Sequence, residues 1–364
     1  MLKTEDVRAM IIEDLARIKE MPVEEYTLYR KWDEYANVQW TKAQLNDMWK
    51  MKQMIWQPDD INKYQDVEPV VIPIEGNRIK YWDLFRKGIS SAPWHQNPGR
   101  FARFFIQDKK TGKYLGVISL ASDFLAMYGR DKYITWTEED RIKYGMLQHT
   151  AVGSSIVPTQ PFGYNYTGGK LTALLIASDV VEDYWNSKYP EKLVGITTTS
   201  LYGGLSQYSN LKYWRKCEPS SGKNPIELST KVYKVAREWL KQHHPDIAKH
   251  VDSVTHSKPK TLGKVISLMK IKTFSSKFMR GVYFCPLYDN FQNFLSRKDT
   301  NVGNKMFDNS VEALTEIWRE KYAKKRFNKL KSENRLNPDS LYYSDVANMT
   351  WEETKEKYLA DVGR

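Results

Sequence analysis

Cysteine is scarce: the 364 residues hold two, Cys217 and Cys285, far apart and with no CxxC pair or Cys/His cluster around them. That excludes a disulfide framework and leaves no metal-ligand pattern, so both thiols read as buried and idle. Long hydrophobic runs are missing too, since no stretch approaches the roughly 18 apolar residues of a membrane span. The start, MLKTEDVRAMIIEDLARIKEM, carries acids where a secretory leader would be continuously apolar, so a cytoplasmic protein is expected. There is no internal repeat and no low-complexity tract.

Against these absences stands a chain well supplied with folding material. Hydrophobic residues make up 41%, with 12 Trp, 23 Tyr and 13 Phe, enough to offset chain entropy. The length suits two or three structural units. The net charge of +12 creates a field that favours polyanions, which makes nucleic acid, DNA first, the default partner. A membrane surface is the competitor, but the basic residues do not line one long amphipathic helix.

Periodicity divides the chain. Val7, Met10, Ile11, Leu15 and Ile18 predict a helix from Thr4 to Met21, and a second fits Thr41 to Trp56. A β-branched run follows at Val67–Ile74, then a helical stretch at Tyr81–Ile89. FARFFIQDKKTGKYLGVISLAS reads as a β-hairpin turning at Thr111-Gly112. Thr137 with Glu138, Glu139 and Asp140 opens a helix expected to run to about Thr150. SSIVP is a strand, Gly168 to Ser187 one helix, LVGITTTSL a strand, and Ser206 to Lys216 a further helix. RGVYFCPLYDNFQNFL is a returning strand and a helix. These expectations give three regions: an α-rich stretch at 1–95, a core at 96–300 with a basic helical insertion at about 225–280, and a helical basic extension at 301–364.

The piece richest in chemistry is strand, glycine-containing loop, helix: SSIVP, TQPFGYNYTGG, KLTALLIASDVVEDYW. A helix start preceded by glycines offers free backbone N–H groups and partial positive charge, which suits a phosphate or pyrophosphate. It is not a Walker loop, because Gly169 and Leu171 stand where the lysine and hydroxyl belong, and it is not GxGxxG. The same pattern also fits a glycine-capped core helix. Placed after a β-meander, the loop resembles the acyl-CoA pyrophosphate loop of the GNAT acetyltransferase superfamily, in which amides between the fourth strand and the next helix hold the cofactor. The resemblance implies an α+β fold with a GNAT-like central mixed sheet and helical additions at both ends. It also implies acetyl-CoA or a similar nucleotide-containing donor at Thr167, Gly168, Gly169 and Lys170.

A further resemblance is carried by FFIQDKKTGKYLGVISLASD, ITWTEEDRIKYGMLQHTAVGSSIVPTQPF and GGKLTALLIASDVVEDYWNSKYPEKLVGITTTSLYG. With RGVYFCPLYDNFQNFL closing the segment, these are similar to the Druantia anti-phage protein A family over about Trp82 to Arg297. More distantly, the element order and SQYSNLKYW resemble the Mom DNA-modification enzymes of phages. What these resemblances imply is a phage or anti-phage DNA-associated protein that transfers a small group to nucleic acid. A non-catalytic nucleic-acid-binding component is the alternative.

An acyl transfer needs orientation and an acid for the departing thiolate. Tyr208 and Tyr202, after the threonine-rich strand, are the candidate acids, with Ser206 and Asn210 as orienting groups. Tyr208, Leu211 and Trp214 equally fit a buried helix face. His149 reads as a helix terminus, as do His243 and His244. For nucleic acid, Lys258, Lys260 and Lys264 lie in a stretch, Ser253 to Tyr288, with seven Lys or Arg and no acid, and Lys324, Lys325 and Arg326 form a second cluster. Ordinary solvated faces mix both signs, so the acid-free stretch points to binding.

Overall fold

The structure is a computed structural model that describes residues 1–37, 40–58, 60–90, 99–200, 206–219, 223–225, 228–254, 258–272, 275–336, 343–346 and 348–359. Helices α1 (Thr4–Glu20), α2 (Val23–Ala36) and α3 (Lys42–Gln53) come first, and α3 is closed by a capping box between Thr41 and Gln44. Strand β1 (Pro69–Pro73) and helix α4 (Arg78–Ile89) lead to the hairpin of β2 (Phe101–Asp108) and β3 (Tyr114–Ser122). Gly112, at φ 66°, makes its tight turn, and the Asp108 carboxylate accepts from the Thr111 N–H at 3.1 Å.

Between β3 and β4 (Thr150–Pro158) lie two short helices, α5 (Tyr128–Ile134) and α6 (Glu138–Ile142). The helix expected to reach Thr150 stops early because Gly145 adopts the left-handed φ of 71°; a 3₁₀ turn follows, and β4 already begins at Thr150. The stretch from Gly168 is likewise two helices, α8 (Gly168–Leu175) and α9 (Asp179–Lys188), after the short α7 (Phe162–Tyr166). Asn309 makes the break: its side chain donates to Ala177 O at 3.2 Å, and its carbonyl accepts from Asp179 N at 2.9 Å. Those groups would pair internally in one continuous helix.

Strand β5 (Gly195–Ser200) precedes the two-residue β6 (Arg215–Lys216) and β7 (Lys223–Pro225). The helix expected over Ser206–Lys216 is instead a run of turns ending in β6. Asn210 and Tyr213 sit at φ 55° and 73°, and Lys170 and Tyr322 side chains take up the carbonyls of Gln207, Ser209 and Asn210. Then come α10 (Thr230–His243), α11 (Pro245–Val254), α12 (Lys258–Leu268), β8 (Ser275–Met279) and β9 (Gly281–Pro286). Helices α13 (Phe291–Leu295), α14 (Val311–Trp318), a π-helical turn at Arg319–Ala323, α15 (Lys324–Ser332) and α16 (Trp351–Leu359) close the chain.

The principal sheet is mixed and seven-stranded, ordered β1-β2-β3-β4-β5-β9-β6, so the fold is α+β as expected. Every pair is antiparallel except β4 and β5. Side chains alternate between its faces: Phe104 and Ile106 pack with α8 and α14, whereas Phe105 and Val117 face Trp82 and Phe85 of α4. A third core joins α1 to α10, α11 and α12 through Ile11, Leu15, Trp239, Leu240 and Val265. Among the described residues, no helix is long and apolar enough to cross a membrane.

Carboxylates join these parts. Asp33 of α2 accepts from Thr230 N at 2.9 Å and Thr230 Oγ1 at 2.8 Å, and Asp14 of α1 accepts from Ser229 N at 2.7 Å, so two acids cap the start of α10. Glu182, buried on α9, accepts from Tyr288 at 2.6 Å and Asn309 at 3.1 Å and pairs with Lys305. Beneath the end of β3, Arg130 is fully buried between Asp123, 2.8 Å, and Asp131, 2.7 Å. The Asp123 contact is an ion pair by distance, although that N–H does not aim at the oxygen. Asp123 also accepts from Thr197 of β5 at 2.7 Å, which ties β5 to this pair. Arg130→Ala strands a carboxylate in the interior, so it should cost about 3–5 kcal/mol in urea unfolding; a loss below about 1 kcal/mol would mean that water reaches Asp123.

A wedge between two parallel strands as the candidate functional site

Strands β4 and β5 pair over Thr150–Gly195, Ala151–Ile196 and Val152–Thr197 and then separate. Beyond that point the edge of β4 no longer has a strand beside it, so its polar backbone groups require other partners. Thr198 Oγ1 donates to Gly153 O at 3.1 Å, and Gln207 Nε2 donates to Ile156 O at 2.9 Å. The register of β3 against β4 slips between Gly153 and Ser155, a bulge at the mouth of the wedge.

Tyr208 fills the interior of this wedge. Its hydroxyl accepts from Gln207 Nε2 at 3.0 Å and lies 3.5 Å from Thr198 Oγ1, while the ring packs against Trp214 and Tyr283. Burial pushes the phenol above its ordinary pKa, more than the Thr198 and Gln207 contacts pull it down, so it is a neutral hydroxyl at physiological pH. Leu211 and Trp214 are buried with it, through turns rather than along one helix face. Ser206 Oγ donates to Tyr283 at 3.1 Å and accepts from Tyr208 N at 3.3 Å, which fixes the turn that carries Tyr208. Asn210 is exposed, at the left-handed φ of 55°, and its carbonyl accepts from Tyr322 at 3.2 Å. Tyr202 lies outside the described residues.

The glycine loop borders the same wedge. Thr167, left-handed at φ 53°, turns the chain from α7 into α8, and its hydroxyl donates to Tyr166 O at 2.6 Å. Gly168 and Gly169 are both buried. A methyl on Gly168 would overlap the Phe162 ring, and one on Gly169 would overlap the Gln207 carboxamide. Lys170 donates to Ser209 O at 2.6 Å and Gln207 O at 3.1 Å beneath the Tyr322 ring, and burial lowers its pKa. The C-terminal helices cover the loop: Trp318 donates to Tyr166 O at 2.9 Å, and Arg326 donates to Tyr164 O at 3.1 Å. The covering turn, Arg319–Ala323, is π-helical and carries the Tyr322 ring over Lys170.

Two participants had no distinct signal in the sequence. Gln207 precedes Tyr208 in a stretch expected to be helical, where the two would point apart. Thr198 sits in a threonine run whose members differ only by strand alternation: Thr197 turns to Asp123 and Thr198 to the wedge.

The basic residues fall into two kinds of place. Lys258, Lys260 and Lys264 are exposed on α12 and form no ion pair among the described residues. On α15, Lys324 pairs with Glu320 at 3.5 Å and Arg326 is engaged by Tyr164, which leaves Lys325 exposed. Cys217 and Cys285 are both buried, and burial pushes the Cys217 thiol up to about 12. Among the described residues, no group of three or more His, Cys, Asp and Glu is placed to hold a metal.

A mixed sheet opened between two parallel strands, with a tyrosine in the opening and a basic helical module attached, defines an α+β protein built around one central wedge. It belongs to the family of Druantia protein DruA, whose model matches residues 24–297, and so to the proteins of a phage-defence system. The match reaches further back than the Trp82 expected from sequence, taking in nearly all of α2, and ends before α14. No curated protein and no solved structure matches the chain significantly.

The packing of the loop is open to test on stability. Gly168→Ala should lower the midpoint of thermal unfolding through overpacking against Phe162, at a cost of about 1–3 kcal/mol. An unchanged midpoint would mean that the Phe162 ring swings freely away.

Proposed function

We propose that the chain is a group transferase of phage defence that takes an acyl-type group from a CoA-type donor in the β4/β5 wedge and places it on nucleic acid. The observation that carries this reading is the Tyr208 hydroxyl held inside the opening between two parallel strands. The sheet order, the parallel pair that separates and the helix starting after β4 agree with the GNAT-like arrangement that the sequence resembles. The wedge suits an amide-bearing arm, because an amide already lies there: the Gln207 carboxamide donates to the β4 edge at Ile156 O. Turning that one side chain outward would free the slot, with Thr167, Gly168, Gly169 and Lys170 beside it to hold the donor's phosphates.

When bound, such a donor supplies a thioester, whose sulfur–acyl bond breaks as an acceptor nitrogen–acyl bond forms. Tyr208 Oη holds a proton at neutral pH and can give it to the departing sulfur, and the proton shed by the acceptor nitrogen restores the phenol. Thr198 Oγ1, which stays in place when Gln207 turns outward, is within reach of the phenolate left behind. Ser206 keeps the Tyr208 turn in place. The aromatic wall of Trp214 and Tyr283 excludes water from the hydroxyl.

A second reading rests on the same loop. Phe162 covers Gly168 and Gln207 covers Gly169, which suits a protein that keeps the fold, carries no donor and recognises nucleic acid for a partner.

Two measurements separate the readings. Tyr208→Phe keeps the ring and removes one hydroxyl, so the protein should stay folded while modified nucleosides in expressing cells, read by mass spectrometry, fall about a hundredfold. Gln207→Ala should open the wedge and strengthen calorimetric binding of acetyl-CoA. No modified nucleoside with the parent, and no binding heat with either form, would overturn the transferase reading in favour of the second.

A further inference from the structure

We infer that helix α12 docks its exposed face on the phosphate backbone of duplex DNA, independently of sequence. This rests on the nucleic-acid part of the reading above and on neither donor nor chemistry.

Charge is concentrated where α12 lies. Residues 228–272 hold ten lysines and arginines against three acids, a net +7 within a chain of +12. The acids are all on α10 and α11, and Asp252 is already paired with Arg237 at 2.9 Å. On α12 itself there is no acid. Lys258, Lys260 and Lys264 point outward, with Lys270 and Lys272 exposed just beyond, whereas Thr261, Leu262, Val265 and Met269 are buried. None of the five exposed lysines forms an ion pair among the described residues; Lys258 rests over the Tyr233 ring, 5.7 Å away. A face of unneutralised cations gains by releasing counterions from phosphates, which a mixed face cannot do.

The platform is rigid enough to present that face. Met269 and Val265 sit in the third core with Trp239 and Leu240. Arg8 of α1 donates to Met269 O at 3.2 Å, and Asp14 and Asp33 cap the neighbouring α10.

The shape of the face favours a duplex. Between Lys260 and Lys264 stands Gly263, exposed, with nothing within 4 Å of where a Cβ would lie and no left-handed φ to require glycine. A glycine inside a helix costs about 1 kcal/mol relative to alanine, and no packing among the described residues explains it. Its lack of a side chain lets an outside surface approach the helix between two lysines. No large aromatic is exposed on α12, so the face has no platform on which unpaired bases could stack, as single-strand binders use.

Fluorescence anisotropy of a labelled duplex, measured across a salt series with the full chain, tests this. The parent should bind with affinity that falls steeply with salt. Lys260→Gln with Lys264→Gln should lower the slope of log affinity against log salt by about two. Gly263→Leu leaves every charge in place and should hold or raise the thermal midpoint, yet weaken duplex binding about tenfold or more; Gly263→Ala should do the same to a smaller degree. If the parent binds duplex and all these variants bind equally well, the α12 inference is overturned while the nucleic-acid reading survives. If the parent binds single strands more tightly than duplex, docking on duplex is overturned. If it binds no nucleic acid, both fall.

Discussion

Backbone groups at the edge of a strand must find partners, and the separation of β4 from β5 after three residue pairs leaves such an edge in the middle of the protein. Thr198 and Gln207 meet that need from β5 and from the turns after it. Satisfying β4 in this way brings Gln207 in, and the turn that carries Gln207 also carries Tyr208 to the interior. Lys170, at the start of α8, bonds to the same turn from the other side, so glycine loop, wedge and turn form one hydrogen-bonded unit. The candidate chemistry therefore follows from how an interrupted sheet satisfies its own backbone.

Around this unit, buried charge decides how the outer parts attach. Arg130 lies between Asp123 and Asp131 with no exposure to water, and Asp123 reaches β5 through Thr197. Glu182 joins α9 to β9's continuation and to the approach to α14 through Tyr288, Lys305 and Asn309. Burial is costly for each of these groups, and each recovers it through several directed partners. The C-terminal helices, outside the family match, are thereby held over the glycine loop: Trp318, Leu314 and Ala323 belong to the main core. The basic module is attached differently, by two aspartates at the start of α10 and by an apolar core shared with α1, which leaves the lysines of α12 without an ion pair among the described residues.

Much of this was legible in the residues themselves. Alternation in FARFFIQD and YLGVISLAS, with Thr-Gly between, is a local signal, and the hairpin formed as read. The stripe in α1, the helix start at Thr41 and the acid-free run of α12 are equally local, as is the glycine pair that starts α8. The family resemblance rested on the same contiguous strings. Helix α2 had weaker marks, Pro22 before an aromatic, charge-rich stretch, and it is held by Asp33 reaching across to Thr230.

What the tertiary structure alone decided lies where partners distant in sequence compete for backbone groups. Ser206–Lys216 has helical composition, but Lys170 and Tyr322 capture its carbonyls, and it becomes the turn that buries Tyr208. Asn309 cuts one expected helix into α8 and α9, more than a hundred residues away in sequence. Whether Gly169 faces a ligand slot or a side chain depended on where Gln207 came to rest, and whether a lysine cluster stays unpaired depended on which acids folded beside it. Propensity and periodicity are set by neighbours within a few residues, whereas these outcomes are set by hydrogen-bonding groups brought together only when the sheet closes.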